Sequence, residues 1–183
     1  MTAWKDKRKT MHAYDVTSGI YEERYSAEQQ AKYNSALQSV KVKGKTVLDV
    51  GCGSGLFFKE VAAQARLVVG VDISKGLLLK AQAQAKVYDN VFVVQVDADH
   101  LPFRDGFFGA IFAFTMLQNM PTPVKTLFEL RRVAAAEGWV VVTGLKKAFG
   151  IDRFMDVLED SGMTVEVFTD DDSLNCYIAV LSA

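Results

Sequence analysis

The run Val47-Leu48-Asp49-Val50-Gly51-Cys52-Gly53-Ser54-Gly55 joins a carboxylate to three glycines at alternate positions. It follows a β-branched apolar stretch and opens a helical pattern. Glycines in such a turn let backbone come within van der Waals distance of a ligand, and a helix N-terminus offers unpaired N–H groups. Asp49 stands two residues before the first glycine. A carboxylate there repels a pyrophosphate and suits a ligand that carries an ammonium or sulfonium cation. The spacing is G-x-G-x-G, with Leu56 where a third dinucleotide glycine would stand, which argues against a nicotinamide oxidoreductase.

Two further carboxylates close the next strand patterns. Asp72, in Val69-Gly70-Val71-Asp72-Ile73-Ser74, comes 21 residues after Gly51, where an acid can accept both ribose hydroxyls of a nucleoside. The plainer reading is that Asp72 only caps the next helix. Asp97, in Val96-Asp97-Ala98-Asp99-His100-Leu101-Pro102-Phe103, offers a carboxylate beside a backbone N–H, a pair able to read the amino and ring-nitrogen edge of adenine. The plainer reading is an Asp-rich turn. All three signals fall at the carboxyl ends of successive strands, where open α/β sheets place their ligand crevice.

The elements that must position these residues alternate. Strands are expected at Thr46–Val50, Leu67–Val71, Val91–Val96, Phe107–Phe114 and Trp139–Leu145, with helices at Leu56–Ala65, Ser74–Lys86, Thr122–Ala135 and Asp152–Asp160. Near-continuous apolar strands between helices imply a parallel sheet covered on both faces. The last two strands, Thr164–Phe168 and Tyr177–Leu181, are joined too briefly for a helical crossover, so one of them must run antiparallel. A helix over Ala27–Lys41 and an aromatic, polar segment from His12 to Tyr25 precede the sheet.

Half of the 183 residues are hydrophobic and the net charge is -1, which excludes a disordered chain. No apolar run reaches the roughly 18 residues of a membrane span, and the charged start lacks the apolar centre of a secretory leader. Two cysteines make neither a disulfide framework nor a four-ligand zinc site, so a reducing cytoplasm is expected. Nine Lys+Arg against five Asp+Glu give residues 1–45 a charge of +4, whereas one against eight gives residues 151–183 a charge of -7. A single domain is expected over 1–183, with 1–41 as N-terminal lid and helix and 42–183 as core. Lys5-Asp6-Lys7-Arg8-Lys9 reads as a solvated tail, Cys52 and Cys176 as inert thiols, and Trp139, Phe149 and Phe154 as core.

Taken in order, the three motifs resemble those of class I S-adenosylmethionine-dependent methyltransferases, and more narrowly the group that includes ubiquinone- and menaquinone-biosynthesis methyltransferases. The resemblance covers roughly residues 12 to 145 and extends to Phe107–Thr115 and Glu129-Leu130-Arg131-Arg132-Val133. It implies an α/β, Rossmann-like, seven-stranded and mostly parallel sheet with an antiparallel C-terminal hairpin and helices on both faces. By resemblance, Asp49, Gly51, Gly53 and Gly55 hold the methionine part of S-adenosyl-L-methionine. Asp72 binds its ribose, with Ile73 against the adenine, and Asp97 and Ala98 meet the adenine edge. Phe114 and Thr115 lie near the reacting methyl. Tyr14, Tyr21 and Tyr25 belong to a lid over the cofactor; packing between lid and sheet is the plainer reading of these tyrosines.

Many relatives carry a His pair shortly after the fourth strand, where this chain has Gln118-Asn119. A histidine base is therefore absent there, and no catalytic residue is assigned. His12 and His100 read as structural or exposed. The Asn/Asp-Pro-Pro-aromatic signature of amino-group methyltransferases is also missing from Phe112-Ala113-Phe114-Thr115. The implied reaction is in-line methyl transfer that leaves S-adenosyl-L-homocysteine, with no metal. A small-molecule acceptor is favoured over RNA or protein. The alternative is a cofactor-binding subunit that needs a small activator partner.

Overall fold

The structure, a computed structural model, describes residues 7, 8, 11 and 21–183, with the side chains of 21–27 outside the described set. Among the described residues seven strands form one sheet: β1 (Thr46–Val50), β2 (Leu67–Asp72), β3 (Val91–Gln95), β4 (Phe108–Ala113), β5 (Ala134–Leu145), β6 (Thr164–Thr169) and β7 (Cys176–Ser182). Five helices accompany them: α1 (Tyr21–Ser39), α2 (Phe58–Val61), α3 (Lys75–Ala85), α4 (Pro123–Val133) and α5 (Ile151–Asp160), with a 3-10 turn at Leu117–Asn119. The strand order is β3-β2-β1-β4-β5-β7-β6. The first five strands pair in parallel, and β7 runs antiparallel to both β5 and β6. The expected seven-stranded α/β fold with its antiparallel end is therefore the observed one.

β1 shows why the strands read as unbroken apolar runs, for all five of its residues are buried. Successive side chains point to opposite faces. Val47 joins one core with α1, α2 and α3 through Tyr33, Phe58, Val61, Leu78 and Ala81. Leu48 and Val50 join the other core with α4 and α5 through Leu127, Leu130, Phe154 and Leu158. Phe149 and Phe154 are both buried, with ring centroids 5.6 Å apart, as expected of a core pair.

Three boundaries differ from the sequence expectation. The helix after the glycine turn spans only Phe58–Val61, although Ala65 N–H still donates to Val61 O at 2.9 Å. The Asn90 side-chain amide donates to the carbonyls of Ala62 and Ala65, both at 2.9 Å, and so replaces the helical partners beyond this point. β5 starts at Ala134 rather than Trp139, because the β4–β5 register shifts and Gly138 fills the irregularity. A Cβ at Gly138 would lie 2.8 Å from Ala135 O and 2.9 Å from Phe108 O. Trp139 is accordingly half-buried and packs on the rim of the core rather than within it. Finally, α1 begins at Tyr21, so part of the stretch expected as a lid continues the helix.

Candidate functional site

The glycine turn leaves β1 toward β2. Gly51 and Cys52 N–H both donate to Val71 O, at 2.8 and 3.0 Å. Gly53 adopts φ +56, and a Cβ there would meet nothing within 4 Å, so its open side faces empty space. Its N–H donates to Asp72 Oδ2 at 3.0 Å, and Ser74 N–H donates to Asp72 Oδ1 at 2.8 Å. Asp72 thus ties the turn to the end of β2. The cap of α3 is Ser74, whose hydroxyl accepts from Leu77 N–H at 3.1 Å. Gly55 serves packing instead: at φ +87, a Cβ would lie 2.5 Å from the Phe58 ring.

These strand ends open onto a cavity of about 1060 Å³, part of it continuous with solvent. Asp49, Gly51, Gly53, Asp72 and Ile73 line it from β1, β2 and their turns. Asp97 and Ala98 line it beyond β3, and Phe114 and Thr115 beyond β4. Of the expected binding residues that are described with their side chains, only Gly55 does not reach the lining. Tyr21 and Tyr25 lie on α1 with side chains outside the described residues, and Tyr14 and His12 lie outside them altogether. His100 is exposed, 3.2 Å from Lys125 Nζ, and does not line the cavity.

Charge gives the cavity its character. Asp49 is 3% exposed, and its Oδ2 has no hydrogen-bond partner. Burial, then the neighbouring Asp72 carboxylate, push its pKa up to about 8. Burial and the Asp49 and Asp72 carboxylates also push the Cys52 thiol up, so it stays an un-ionised lining group. Burial acts to raise the Asp97 pKa, yet the Lys7 ammonium and the Asp99 N–H outweigh it and hold the carboxyl below its ordinary value. The Asp97 turn is stapled from α4. Glu129 accepts from Leu101 N–H at 2.9 Å, and Arg132 donates to Leu101 O and Phe103 O at 2.9 and 2.8 Å.

At the other end Thr115 takes φ +55, a strained conformation for a β-branched residue. Three contacts hold it. Its N–H donates to Thr143 Oγ1 at 2.6 Å, Lys32 Nζ donates to its Oγ1 at 3.1 Å, and Gln118 Nε2 donates to its carbonyl at 2.5 Å. Lys32 is buried on α1 and paired with Glu28 at 2.9 Å. Gln29, one residue on from Glu28, lines the cavity with a buried, unpartnered Oε1. Asn119 lines it from the 3-10 turn.

Sequence reasoning missed Lys7, Gln29 and Lys32. Lys7 departs most from expectation: it is buried and lines the cavity rather than lying in a solvated tail. The alternation of charges around it carries no period that would mark one lysine as inward.

A family model described as a methyltransferase domain matches residues 48–142. The chain belongs to this methyltransferase family. Its fold is that of S-adenosylmethionine-dependent methyltransferases, and the family's cofactor is S-adenosyl-L-methionine. A demethylmenaquinone methyltransferase of Clavibacter sepedonicus is 36% identical over 101 residues, covering 55% of this chain and 41% of that protein. The chain spans about half the length of the curated relatives it matches. Among solved structures, the partner of the Trm112 methyltransferase activator in its Haloferax volcanii complex superimposes with a TM-score of 0.79 at 18% identity, covering 93% of this chain and 97% of that one. Phosphoethanolamine N-methyltransferase 1 of Haemonchus contortus, in complex with phosphoethanolamine and S-adenosylhomocysteine, superimposes with a TM-score of 0.71 at 20% identity, covering 79% of this chain and 33% of that one.

The residues present fit that cofactor. The orphaned Asp49 oxygen lacks a positive partner, and the open side of Gly53 leaves room for one. Among the described residues no helix is long and apolar enough to cross a membrane.

Proposed function

We propose that this chain, acting as one domain over 1–183, transfers a methyl group from S-adenosyl-L-methionine to a small-molecule acceptor in the cytoplasm. The observation that carries the reading is the buried Asp49 carboxylate, raised to a pKa of about 8, with one oxygen unpartnered beside the open Gly53 turn. When bound, the cofactor supplies an activated methyl group on a positively charged sulfur. Asp49 faces the cationic end, and Gly51 and Gly53 admit the methionine part. Asp72, which accepts from Gly53 and Ser74 N–H, binds the ribose hydroxyls on this reading. Ile73 lies against the adenine, Asp97 and Ala98 read its edge, and Gly55 shapes the turn. On this reading Tyr14, Tyr21 and Tyr25 contribute to closing over the cofactor. Phe114 and Thr115 bound the place where the methyl moves.

The chain's work there is alignment and exclusion of water. Positioning can supply roughly 7–11 kcal/mol of a transfer barrier. Phe114, Met116, Met120 and Tyr33 make that end apolar, which suits a step in which charge disperses. With Gln118 and Asn119 in place of histidines, the described lining there offers no strong base, which fits an acceptor that arrives already nucleophilic. The Clavibacter relative is named for demethylmenaquinone, which supports a small organic acceptor. Tritiated-methyl transfer to small-molecule, RNA and protein fractions, with calorimetric titration of S-adenosylhomocysteine, tests the reading. Failure to bind either the donor or its product would sink it, and label in RNA or protein alone would replace the acceptor.

One observation favours a second reading, a methyltransferase that works with a small activator subunit. β3 is a sheet edge, and Phe92 and Val94 are 56% and 39% exposed. They alternate with Val93, which packs into the core, and so lie on the opposite face. The Haloferax neighbour is seen with an activator. Full activity of the purified chain alone would reject this reading.

A further inference from the structure

Lys7 is 7% exposed, and its ammonium reaches two carboxylates from the loop after β3. Its Nζ lies 2.5 Å from Asp97 Oδ1 and 2.5 Å from Asp99 Oδ2. The two acids differ in what remains to them. Asp99 has a partner on each oxygen, because its Oδ1 accepts from the Thr126 hydroxyl of α4 at 2.6 Å. Asp97 takes both of its partners on one oxygen: Oδ1 accepts from Lys7 and, at 3.0 Å, from Asp99 N–H. Among the described residues nothing donates to Asp97 Oδ2, and Lys7, Asp97 and Ala98 all line the cavity.

We infer that Lys7 is a positioning residue for purine recognition, fixing the Asp97 carboxylate with Oδ1 toward the protein and Oδ2 toward the exocyclic amino group of the adenine. The inference rests on the S-adenosylmethionine reading of this cavity. A carboxyl group accepts from an amino group most strongly while ionised and correctly turned. Without a cation beside it, burial works against the charged form, and the Asp99 N–H alone is left to hold Oδ1. Lys7 supplies the charge and, with the Asp99 N–H, a second hold on Oδ1. Asp99, anchored by Thr126, holds the ammonium in register. Lys7 needs no contact with the purine for this role, so it acts through Asp97.

The test compares S-adenosylhomocysteine with its deaminated counterpart S-inosylhomocysteine, which carries a carbonyl oxygen in place of the amino group. Calorimetry on the full chain and on Lys7→Met, Lys7→Arg and Asp97→Asn gives the affinities. Lys7→Met is expected to weaken S-adenosylhomocysteine by about 10-fold, the scale of one hydrogen bond to a charged group. The inosine compound should change by less than about 2-fold, because it has no amino proton to give. Lys7→Arg should keep most of the affinity, and Asp97→Asn should lose the preference for adenine even where Lys7 is intact. Equal losses for both compounds would make Lys7 a mere wall of the cavity and overturn the inference. Unchanged or tighter binding by Lys7→Met would overturn it too, the latter making Lys7 a plug. If the unaltered chain binds neither compound, the cofactor reading itself falls, an outcome distinct from a failure of Lys7 alone.

Discussion

At the β1–β3 end of the cavity three carboxylates stand on consecutive strand ends, whereas the described lining from Phe114 to Met120 carries no carboxylate or histidine. The first end holds its acids under load: Asp49 is raised toward pKa 8 by burial, while Asp97 is held low by Lys7 and Asp99 N–H against burial. The second end holds a strained Thr115, gripped by Lys32, Thr143 and Gln118. On the proposed reading, one end recognises a charged nucleoside. The other is built to set a shape. A methyl donor that brings its own activation needs this division, because recognition and alignment, rather than proton transfer, are what the protein must add.

The sharpest way to break the comparison is Asp49→Asn. It should weaken S-adenosylmethionine about 100-fold by calorimetry, because a buried cation would lose its partner. It should also stabilise the ligand-free chain by on the order of 2–4 kcal/mol near pH 8 in denaturant unfolding. The sign follows from the shift. An acid raised from 3.8 to about 8 makes the folded state bind extra protons between those values, so its contribution to stability falls as pH rises through that window. Donor binding by the unaltered chain should tighten as pH rises toward about 8, and Asp49→Asn should flatten that slope.

Lys32→Met probes the other end. It should lower kcat by roughly 10-fold through release of Thr115 while leaving donor affinity within about 3-fold, a split that steady-state kinetics and calorimetry read together. An equal loss in donor affinity would erase the distinction between the two ends. Gly55→Ala against Gly53→Ala separates packing from access. The first should cost about 2–3 kcal/mol in unfolding free energy because its Cβ enters the Phe58 ring. The second should cost about 1 kcal/mol of backbone strain and show its main effect on donor binding. The smallest effect is expected for Gln29→Leu, which removes an orphaned buried carbonyl. Stability should rise by up to about 1 kcal/mol while the acceptor KM climbs, and no change in KM would take Gln29 out of acceptor recognition.

The same division explains what could be read in the sequence. Asp49, Gly51, Gly53, Asp72 and Asp97 sit within or just after their own strands, so spacing alone placed them on one edge of the sheet, and the structure brings them to one cavity. The alternation of strands and helices and the short link before β7 carried the topology as well. Lys32 and Thr115 are 83 residues apart, and Lys7 and Asp97 are 90. No periodicity links such pairs, because only the folded sheet brings them together. The short α2 was hidden for a similar reason, since the group that ends it is the side chain of Asn90, which arrives from the start of the next strand but one. The early start of β5 was concealed by Ala134-Ala135-Ala136, a run that favours helix locally and is overruled by pairing with β4.

β7 has a consequence for how the chain is made. Although it is the last strand in sequence, it lies inside the sheet and is hydrogen-bonded on both sides, to β5 from Trp139↔Ser182 to Leu145↔Cys176 and to β6 from Thr164↔Ser182 to Thr169↔Ile178. Until residues 176–182 emerge from the ribosome, β5 must wait with one edge bare and β6 has no neighbour to join. A nascent chain is therefore open to adventitious strand pairing up to that moment.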